Sequence, residues 1–148
     1  MKADFRYTSD TVFDTFPWPQ KPSISQIRAV SETARALRAL RRQIMDSNGW
    51  SLRDLYRTLE MPGDNKLRDA HAELDTAVGT AYGLKPKEDI LAFLLELNLE
   101  LAERETKGEA ITPPGLPASV REPQSFVTRD CVRSPDDDGS TAEQRITD

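Results

Sequence analysis

The side chains of this chain that are best suited to chemistry are five arginines between residues 28 and 42. Three of them recur every seven residues, at positions 28, 35 and 42, and Arg38 and Arg41 extend the series. Seven residues are close to two turns of an α-helix, so this spacing predicts a cationic stripe along one helix. A guanidinium group donates parallel hydrogen bonds to phosphate oxygens and keeps its charge. The pattern therefore favours a surface that binds a phosphate backbone.

Charge is segregated along the chain. Residues 28–42 hold five arginines and one acid, Glu32, which gives that segment +4 (five minus one), whereas the whole chain carries −5. An alternative is that the arginines pair with carboxylates of neighbouring helices or of an adjoining domain, because charge runs are usually solvated faces. Both interpretations stay open. On the phosphate-binding interpretation, we predict that a DNA backbone is contacted by Arg28, Arg35, Arg38 and Arg42.

Catalytic patterns are not visible in the sequence. His71 is the single histidine and Cys131 the single cysteine, which excludes an intrachain disulfide and a cysteine-based metal site. The chain has no glycine-rich phosphate loop, zinc-protease motif or nucleophile elbow. A lone histidine on the apolar side of a helix is usually packed and hydrogen-bonded to a neighbour. We therefore predict no catalytic, cofactor-binding or metal-binding residue.

Four helices are predicted between residues 20 and 108, so the fold class is mainly α, a small bundle of about four helices. The predicted spans are about 25–46 with Ser23 or Ser25 as N-cap, 51–59, Asp64 or Asn65 to Gly83, and Pro86 to Gly108. The fourth helix is rich in leucine around much of its circumference. It is expected to be either the central helix of the domain or a helix with one face reserved for another domain.

The N-terminal region indicates a boundary. Residues 5–8 and 11–13 predict a short β-hairpin, which is marginally stable alone. Phe16 and Trp18 alternate with prolines that continue neither a strand nor a helix, so we predict that these aromatics fill a domain seam. The predicted division is 1–19, the end of one domain; 20–108, the helical domain; and 109–148, an extended to disordered tail.

Several segments, taken in order, resemble one enzyme family. The segments are Phe5-Arg6-Tyr7, Thr15-Phe16-Pro17-Trp18-Pro19, Ser51-Leu52-Arg53-Asp54-Leu55-Tyr56, Leu67-Arg68-Asp69-Ala70-His71, Leu74-Asp75-Thr76-Ala77-Val78 and Ala81-Tyr82-Gly83. Their order is similar to that at the C-terminal end of MmeI-like DNA methyltransferases and restriction-modification enzymes, over roughly residues 5–118. The resemblance implies that residues 1–19 are the end of a target-recognition domain and that the helices form the C-terminal helical domain.

The resemblance also implies a parent enzyme that methylates adenine in DNA with S-adenosylmethionine. This sequence lacks an Asn-Pro-Pro-Tyr-type motif, a glycine-rich cofactor loop and a nuclease cluster. We therefore expect the last piece of a larger polypeptide, truncated or split upstream of Met1, which has no enzyme activity by itself. Its expected partners are the upstream methyltransferase and target-recognition domains, and DNA through the parent. The hairpin could instead pack on the helices that follow it.

A second function class remains open: a small helical module for protein–protein interaction, unrelated to DNA, whose leucine-rich fourth helix docks on a partner. The acidic net charge favours this alternative, because a dedicated DNA-binding domain is usually basic. No apolar run approaches the ~20 residues of a membrane span. The first residues show neither the basic n-region nor the apolar h-region that a signal peptide would have. We expect a cytoplasmic protein without a membrane partner.

Overall fold

The computed structural model describes residues 12–13 and 15–126. Four α-helices follow one another, and we number them in chain order. They are α1 (Ile24–Asn48), α2 (Leu52–Arg57), α3 (Lys66–Tyr82) and α4 (Ile90–Thr106). Short 3₁₀ helices occupy Thr58–Glu60 and Pro123–Ser125. The prediction of a mainly helical fold with about four helices is confirmed.

The long helix α1 is fixed at both ends by its own sequence. The Ser23 hydroxyl accepts a hydrogen bond from the Gln26 backbone N–H, and the Gln26 side chain accepts one from the Ser23 N–H. This reciprocal pair satisfies two donors that a helix start leaves open. At the other end Gly49 adopts a left-handed conformation with φ of 64°, which glycine tolerates without steric cost. Of the two predicted N-caps, Ser23 is the one used.

The next two helices also begin at caps that the sequence predicts. The Ser51 hydroxyl accepts from the Asp54 N–H, and the Asp54 carboxylate accepts from the Ser51 N–H and hydroxyl. These hydrogen bonds hold the pKa of Asp54 below its ordinary value of 3.8. Helix α3 starts at Asn65, whose side chain accepts from two backbone N–H groups, and it ends at Gly83.

Helix α4 starts later than predicted. The sequence places Glu88 and Asp89 inside its first turn, whereas the structure uses Asp89 as the N-cap. Glu88 instead accepts a hydrogen bond from the Lys85 backbone N–H at 2.8 Å. Between them, Lys87 has a positive φ of 67°, which is incompatible with a right-handed helix at that residue. A turn therefore occupies the residues directly after Pro86.

The best-packed part of the molecule lies between α1, α2 and α3. Leu37, Leu55 and Leu67 form one buried cluster, and half-buried side chains of the same helices and of the 3₁₀ helix after α2 surround it. Among the described residues, α1 and α3 make the most extensive contact of any pair of elements. The Gln26 side chain adds a hydrogen bond from α1 to the Thr80 carbonyl, at 2.8 Å. We call this region the α1–α3 core.

Two extended segments lie against the helices. The junction, residues 15–22, is held by the Tyr82 hydroxyl, which donates to the Pro17 carbonyl at 3.0 Å. Burial raises the pKa of Tyr82 above its ordinary value of 10.0. The strap, residues 109–126, is tied to the junction through Gln20 and Thr112, which share hydrogen bonds of 2.9 and 2.7 Å. Val120 of the strap is buried.

Some predictions fall outside this description. The N-terminal hairpin was predicted over residues 5–13, and apart from Val12 and Phe13 these lie outside the described residues. The tail was predicted over residues 109–148, of which 127–148 also lie outside. Within residues 12–13 and 15–126 there is no β-strand. None of the helices in that part of the chain has both the length and the apolar character required to cross a membrane.

Candidate nucleic-acid interface and exposed helix face

The arginines of α1 do not form a single uniform stripe. Arg28 and Arg42 are exposed, and within the described residues neither makes a hydrogen bond or an ion pair. Arg41 is half-buried and lies over the Tyr56 ring, 5.4 Å from the ring centroid. It is therefore engaged in a cation–π contact with α2. Two guanidinium groups, those of Arg28 and Arg42, are therefore presented outward by α1.

Arg35 and Arg38 have different surroundings from Arg28 and Arg42. Both line a groove of about 330 Å³ between α1, the junction and the strap, which we call the strap groove. The Arg35 Nη2 group donates to the Ser125 carbonyl of the strap at 3.3 Å, and Arg38 is half-buried. The four arginines predicted to contact DNA thus divide into an outward pair, Arg28 and Arg42, and a groove pair, Arg35 and Arg38.

His71 is a packed residue, as predicted. Its Nε2 atom shares a hydrogen bond of 2.9 Å with the Tyr56 hydroxyl, and the two rings meet edge to face at 5.6 Å. This contact joins α2 to α3 and gives the imidazole a partner inside the helical domain. Among the described residues, no group of histidine, cysteine, aspartate and glutamate side chains is arranged to hold a metal ion.

The two aromatics predicted to fill a domain seam lie in one cluster. The Trp18 ring meets Phe13 and Phe16 edge to face, with centroid distances of 5.3 and 5.7 Å. Phe16 is 41% exposed. The Trp18 Nε1 atom is buried and has no hydrogen-bond acceptor among the described residues. Such a donor costs free energy unless something outside this set of residues accepts from it.

Helix α4 carries an apolar face that the rest of the described chain leaves uncovered. The four exposed side chains and their exposed fractions are Ile90 57%, Leu91 79%, Leu95 60% and Leu99 63%. Three of them are spaced four residues apart, so they form one stripe along the helix. On its other side α4 buries Leu101 and meets Tyr82 through Phe93, with ring centroids 6.2 Å apart. We call the exposed stripe the α4 leucine face.

Packing between α4 and the α1–α3 core is incomplete. An apolar cavity of about 590 Å³ lies between Trp18, Val78, Ile90 and Leu94. This answers the question that the sequence left open, because α4 is not the central helix of the described domain. Exposed apolar stripes of this size on a small domain usually mark an interaction surface.

Sequence reasoning missed two features. Arg68 stands beside Asp69 in the sequence, a pattern typical of a solvated helix face, whereas its guanidinium donates to the carbonyls of Leu59, Met61 and Gly63 at 2.8 to 3.1 Å. These hydrogen bonds fix the position of the loop before α3. The position of the strap was the second, since its proline-rich segment predicts extended backbone but not the surface on which it lies. The apolar pair Leu116 and Val120 was the available signal for docking.

Taken together, the structure is a small helical module with a cationic long helix and an uncovered apolar helix. Comparison with known protein families identifies the family to which this module belongs. The family model described as the MmeI C-terminal domain matches residues 23–104, which is more than half of the chain. The chain belongs to the MmeI C-terminal domain family. The resemblance derived from the sequence is thereby confirmed.

A relative of known name adds to this assignment. DNA methyltransferase A from Bacillus subtilis (strain 168) is 33% identical over 107 residues, a match that covers 70% of this chain. The matched region is 11% of that protein, so this chain corresponds to a small part of its length. No solved structure matches the chain significantly.

Proposed function

We propose that this chain acts as the C-terminal helical module of a DNA methyltransferase of the restriction-modification type. In this role it braces the target-recognition domain and adds contacts to DNA phosphates. The observation that carries the proposal is the outward pair of arginines on α1, within a domain that belongs to the MmeI C-terminal family. The similarity to DNA methyltransferase A supports the same conclusion.

Bracing is assigned to the α4 leucine face and to the aromatics of the junction. A face of four exposed aliphatic side chains loses apolar surface to water when a second domain covers it, which stabilises the docked state. Phe16 lies at the edge of the cavity beside α4, so the junction and α4 can contact one partner together. That partner is proposed to be the target-recognition and methyltransferase portion of the enzyme.

Chemistry is assigned to the enzyme and not to this chain. On this proposal the enzyme transfers a methyl group from S-adenosylmethionine to adenine in DNA. The sequence of this chain offers neither a glycine-rich loop for the cofactor nor an Asn-Pro-Pro-Tyr-type motif for the base. No residue of the chain is therefore given a role in holding the cofactor or in the methyl transfer. Its own contribution is placement of the recognition domain and of the DNA backbone.

Contact with DNA can be tested by the salt dependence of binding. Each phosphate neutralised by a cationic side chain contributes about 0.9 to the slope of log K against log salt concentration. Arg28→Gln with Arg42→Gln should therefore flatten the slope by about 1.8 for any duplex sequence. Titration of the full chain with a fluorescently labelled duplex at low salt measures this.

The control for that titration is Lys66→Gln with Lys85→Gln, which removes the same charge from exposed positions outside α1. An outward-pair variant whose slope equals that of the wild type refutes the phosphate contacts. A variant that weakens binding no more than the lysine control also refutes them, because net charge alone would then explain the effect.

A second candidate function is a protein-interaction module unrelated to DNA. The α4 leucine face supplies the surface that such a module would use, as it does in the first candidate. The net charge of −5 also opposes association with a polyanion. If the full chain shows no binding to duplex at low salt while the leucine face still captures a protein, this candidate replaces the DNA-support role.

A further inference from the structure

Helices α1 and α4 carry opposite charges. Helix α1 has five arginines against Glu32 and Asp46, a net charge of +3 (five minus two). Helix α4 has four glutamates and one arginine, a net charge of −3 (one minus four). That one arginine, Arg104, is already paired with Glu109 at 3.2 Å. The exposed apolar stripe of this chain therefore lies on its acidic helix.

Three of these glutamates flank the α4 leucine face. Glu96 and Glu103 are seven residues apart and lie along one edge of the stripe, and Glu105 lies along the other edge. All three side chains are exposed. Glu103 pairs with Lys107 at 2.7 Å, whereas Glu96 and Glu105 form no ion pair with any described residue. The apolar stripe thus has a rim with an excess of negative charge.

This charge discriminates between three occupants of the face: DNA, a second copy of the chain and the surface of another protein. DNA is a polyanion and is repelled by the glutamates. A second copy paired through the same face would bring the glutamates of one α4 beside those of the other, and like charges at an interface are unfavourable. A protein surface that is apolar in the middle and basic around it complements both the stripe and its rim.

We propose that α4 docks in an apolar groove whose rim carries lysine or arginine side chains. Leu91, Leu95 and Leu99 enter the groove at four-residue spacing, as in other complexes of an amphipathic helix with a groove. The basic rim pairs with the glutamates and fixes the orientation of the helix. That the groove belongs to the upstream part of the enzyme rests on the proposed function. The two charged helices then have separate partners, phosphate for α1 and a basic protein surface for α4.

The preference of the face for basic partners can be measured on the full chain with two model peptides. Both are fluorescent amphipathic helices of about 18 residues, or five turns, with leucines along one side. Lysines flank the leucines in the first peptide, and glutamates flank them in the second. Fluorescence anisotropy at low salt should show that the lysine peptide binds at least about tenfold more tightly. Equal binding of the two peptides, or binding of neither, overturns the inference.

Substitutions in the chain locate the contact. Replacement of the three rim glutamates by glutamine should weaken binding of the lysine peptide about fivefold, as expected for the loss of a few exposed ion pairs. The matched control replaces three exposed glutamates outside α4, and it should weaken binding less than about twofold. The control residues are Glu32, Glu60 and Glu73. If the control weakens binding as much as the rim variant, net charge explains the effect and the proposed rim contact is wrong.

The same glutamine substitutions test the natural partner in DNA methyltransferase A whose matched region is replaced by residues 15–148. The glutamine graft should methylate DNA about fivefold more slowly than the unsubstituted graft, and circular dichroism of the full-chain variant checks that it is folded. A second graft carries serine at Leu91, Leu95 and Leu99. If only the serine graft loses activity, α4 docks but its partner has no basic rim, and this inference fails while the proposed function stands. If both grafts keep full activity, the proposed docking itself is wrong.

Discussion

The α1–α3 core and α4 differ in how each helix uses its leucines. In the core, Leu37, Leu55 and Leu67 are at most 4% exposed, and α1 and α3 pack along each other. In α4, Leu91, Leu95 and Leu99 are at least 60% exposed, although the helix is the richer of the two regions in leucine. Leucine content therefore does not decide burial here. The helices of the core cover one another's apolar side chains, whereas α4 presents apolar surface that the rest of the described chain does not cover.

This difference separates stability from function. Burial of aliphatic side chains in the core supplies the free energy that orders α1, α2 and α3. The same kind of side chain on α4 gives little stability to the chain, because it stays in water. The α4 leucine face is therefore the surface on which the docking proposed above depends.

The largest predicted effect compares one leucine from each region. Leu67→Ala should lower the free energy of unfolding by about 2–5 kcal/mol, because Leu67 is 1% exposed and its loss leaves a cavity. Leu95→Ala should change it by less than about 0.5 kcal/mol, since Leu95 is 60% exposed. Urea unfolding followed by circular dichroism measures both. Equal losses would show that α4 is part of the cooperative core.

The helix caps give a second test of the difference between the α1–α3 core and α4, with a smaller expected loss of stability. Ser51→Ala should cost about 1 kcal/mol and shift the whole unfolding transition, because α2 is packed into the core. Asp89→Ala removes the N-cap of α4 and should fray that helix locally. Native-state hydrogen exchange distinguishes the two outcomes. A global shift after Asp89→Ala would contradict the separation of α4 from the core.

The Ser51 cap also predicts a dependence on acid. The pKa of Asp54 is lowered in the folded chain, so its contribution is present above its ordinary value of 3.8 and is lost as pH falls through the lowered value. Asp54→Asn should therefore remove part of the decline in stability below that pH. Thermal melting between neutral pH and about pH 2 tests this. Identical acid profiles for the two proteins would rule out this contribution.

Tyr82 links the core to the junction and gives a prediction at alkaline pH. Tyr82→Phe should cost about 1 kcal/mol, because the hydrogen bond to the Pro17 carbonyl is lost while the ring contact with Phe93 is kept. The pKa of Tyr82 is raised, so the wild type loses stability as pH rises above 10.0. The variant should not show that loss. Melting curves on either side of that pH measure the difference.

The smallest effect is expected on the surface of α4. Exchange of Leu91, Leu95 and Leu99 for serine should leave the melting temperature of the chain nearly unchanged, since these side chains are exposed. The apparent molecular mass by light scattering at high protein concentration should fall if the wild type self-associates through this face. Marked destabilisation would show instead that the leucine face supports the fold.

The helices were predictable because their signals are local. Ser23, Ser51, Asn65, Gly49 and Gly83 act within a few residues of their own position, and each is a cap in the structure. The start of α4 was placed too early because Lys87 adopts a left-handed conformation. A sequence signals that conformation when glycine or asparagine stands at the position, and lysine gives no such signal.

The candidate site was less predictable, because it depends on contacts that are distant in sequence. Heptad spacing placed Arg28, Arg35 and Arg42 on one side of a helix, but it could not show that the strap reaches Arg35. Arg41 was included in the stripe although it lies over Tyr56. The first contact depends on how the chain returns to α1 after α4, and the second depends on how α2 packs against α1. Helical periodicity encodes neither.

The most direct test of the central claim grafts this chain onto its relative. The matched region of DNA methyltransferase A is replaced by residues 15–148, with and without the three serine substitutions in the α4 leucine face. DNA methylation is then measured at equal protein concentrations. The account predicts that the unsubstituted graft methylates DNA and that the serine graft, although folded, is at least about tenfold less active, as expected when an apolar interface is lost. Equal activity of the two grafts would contradict the claim that α4 docks on the rest of the enzyme.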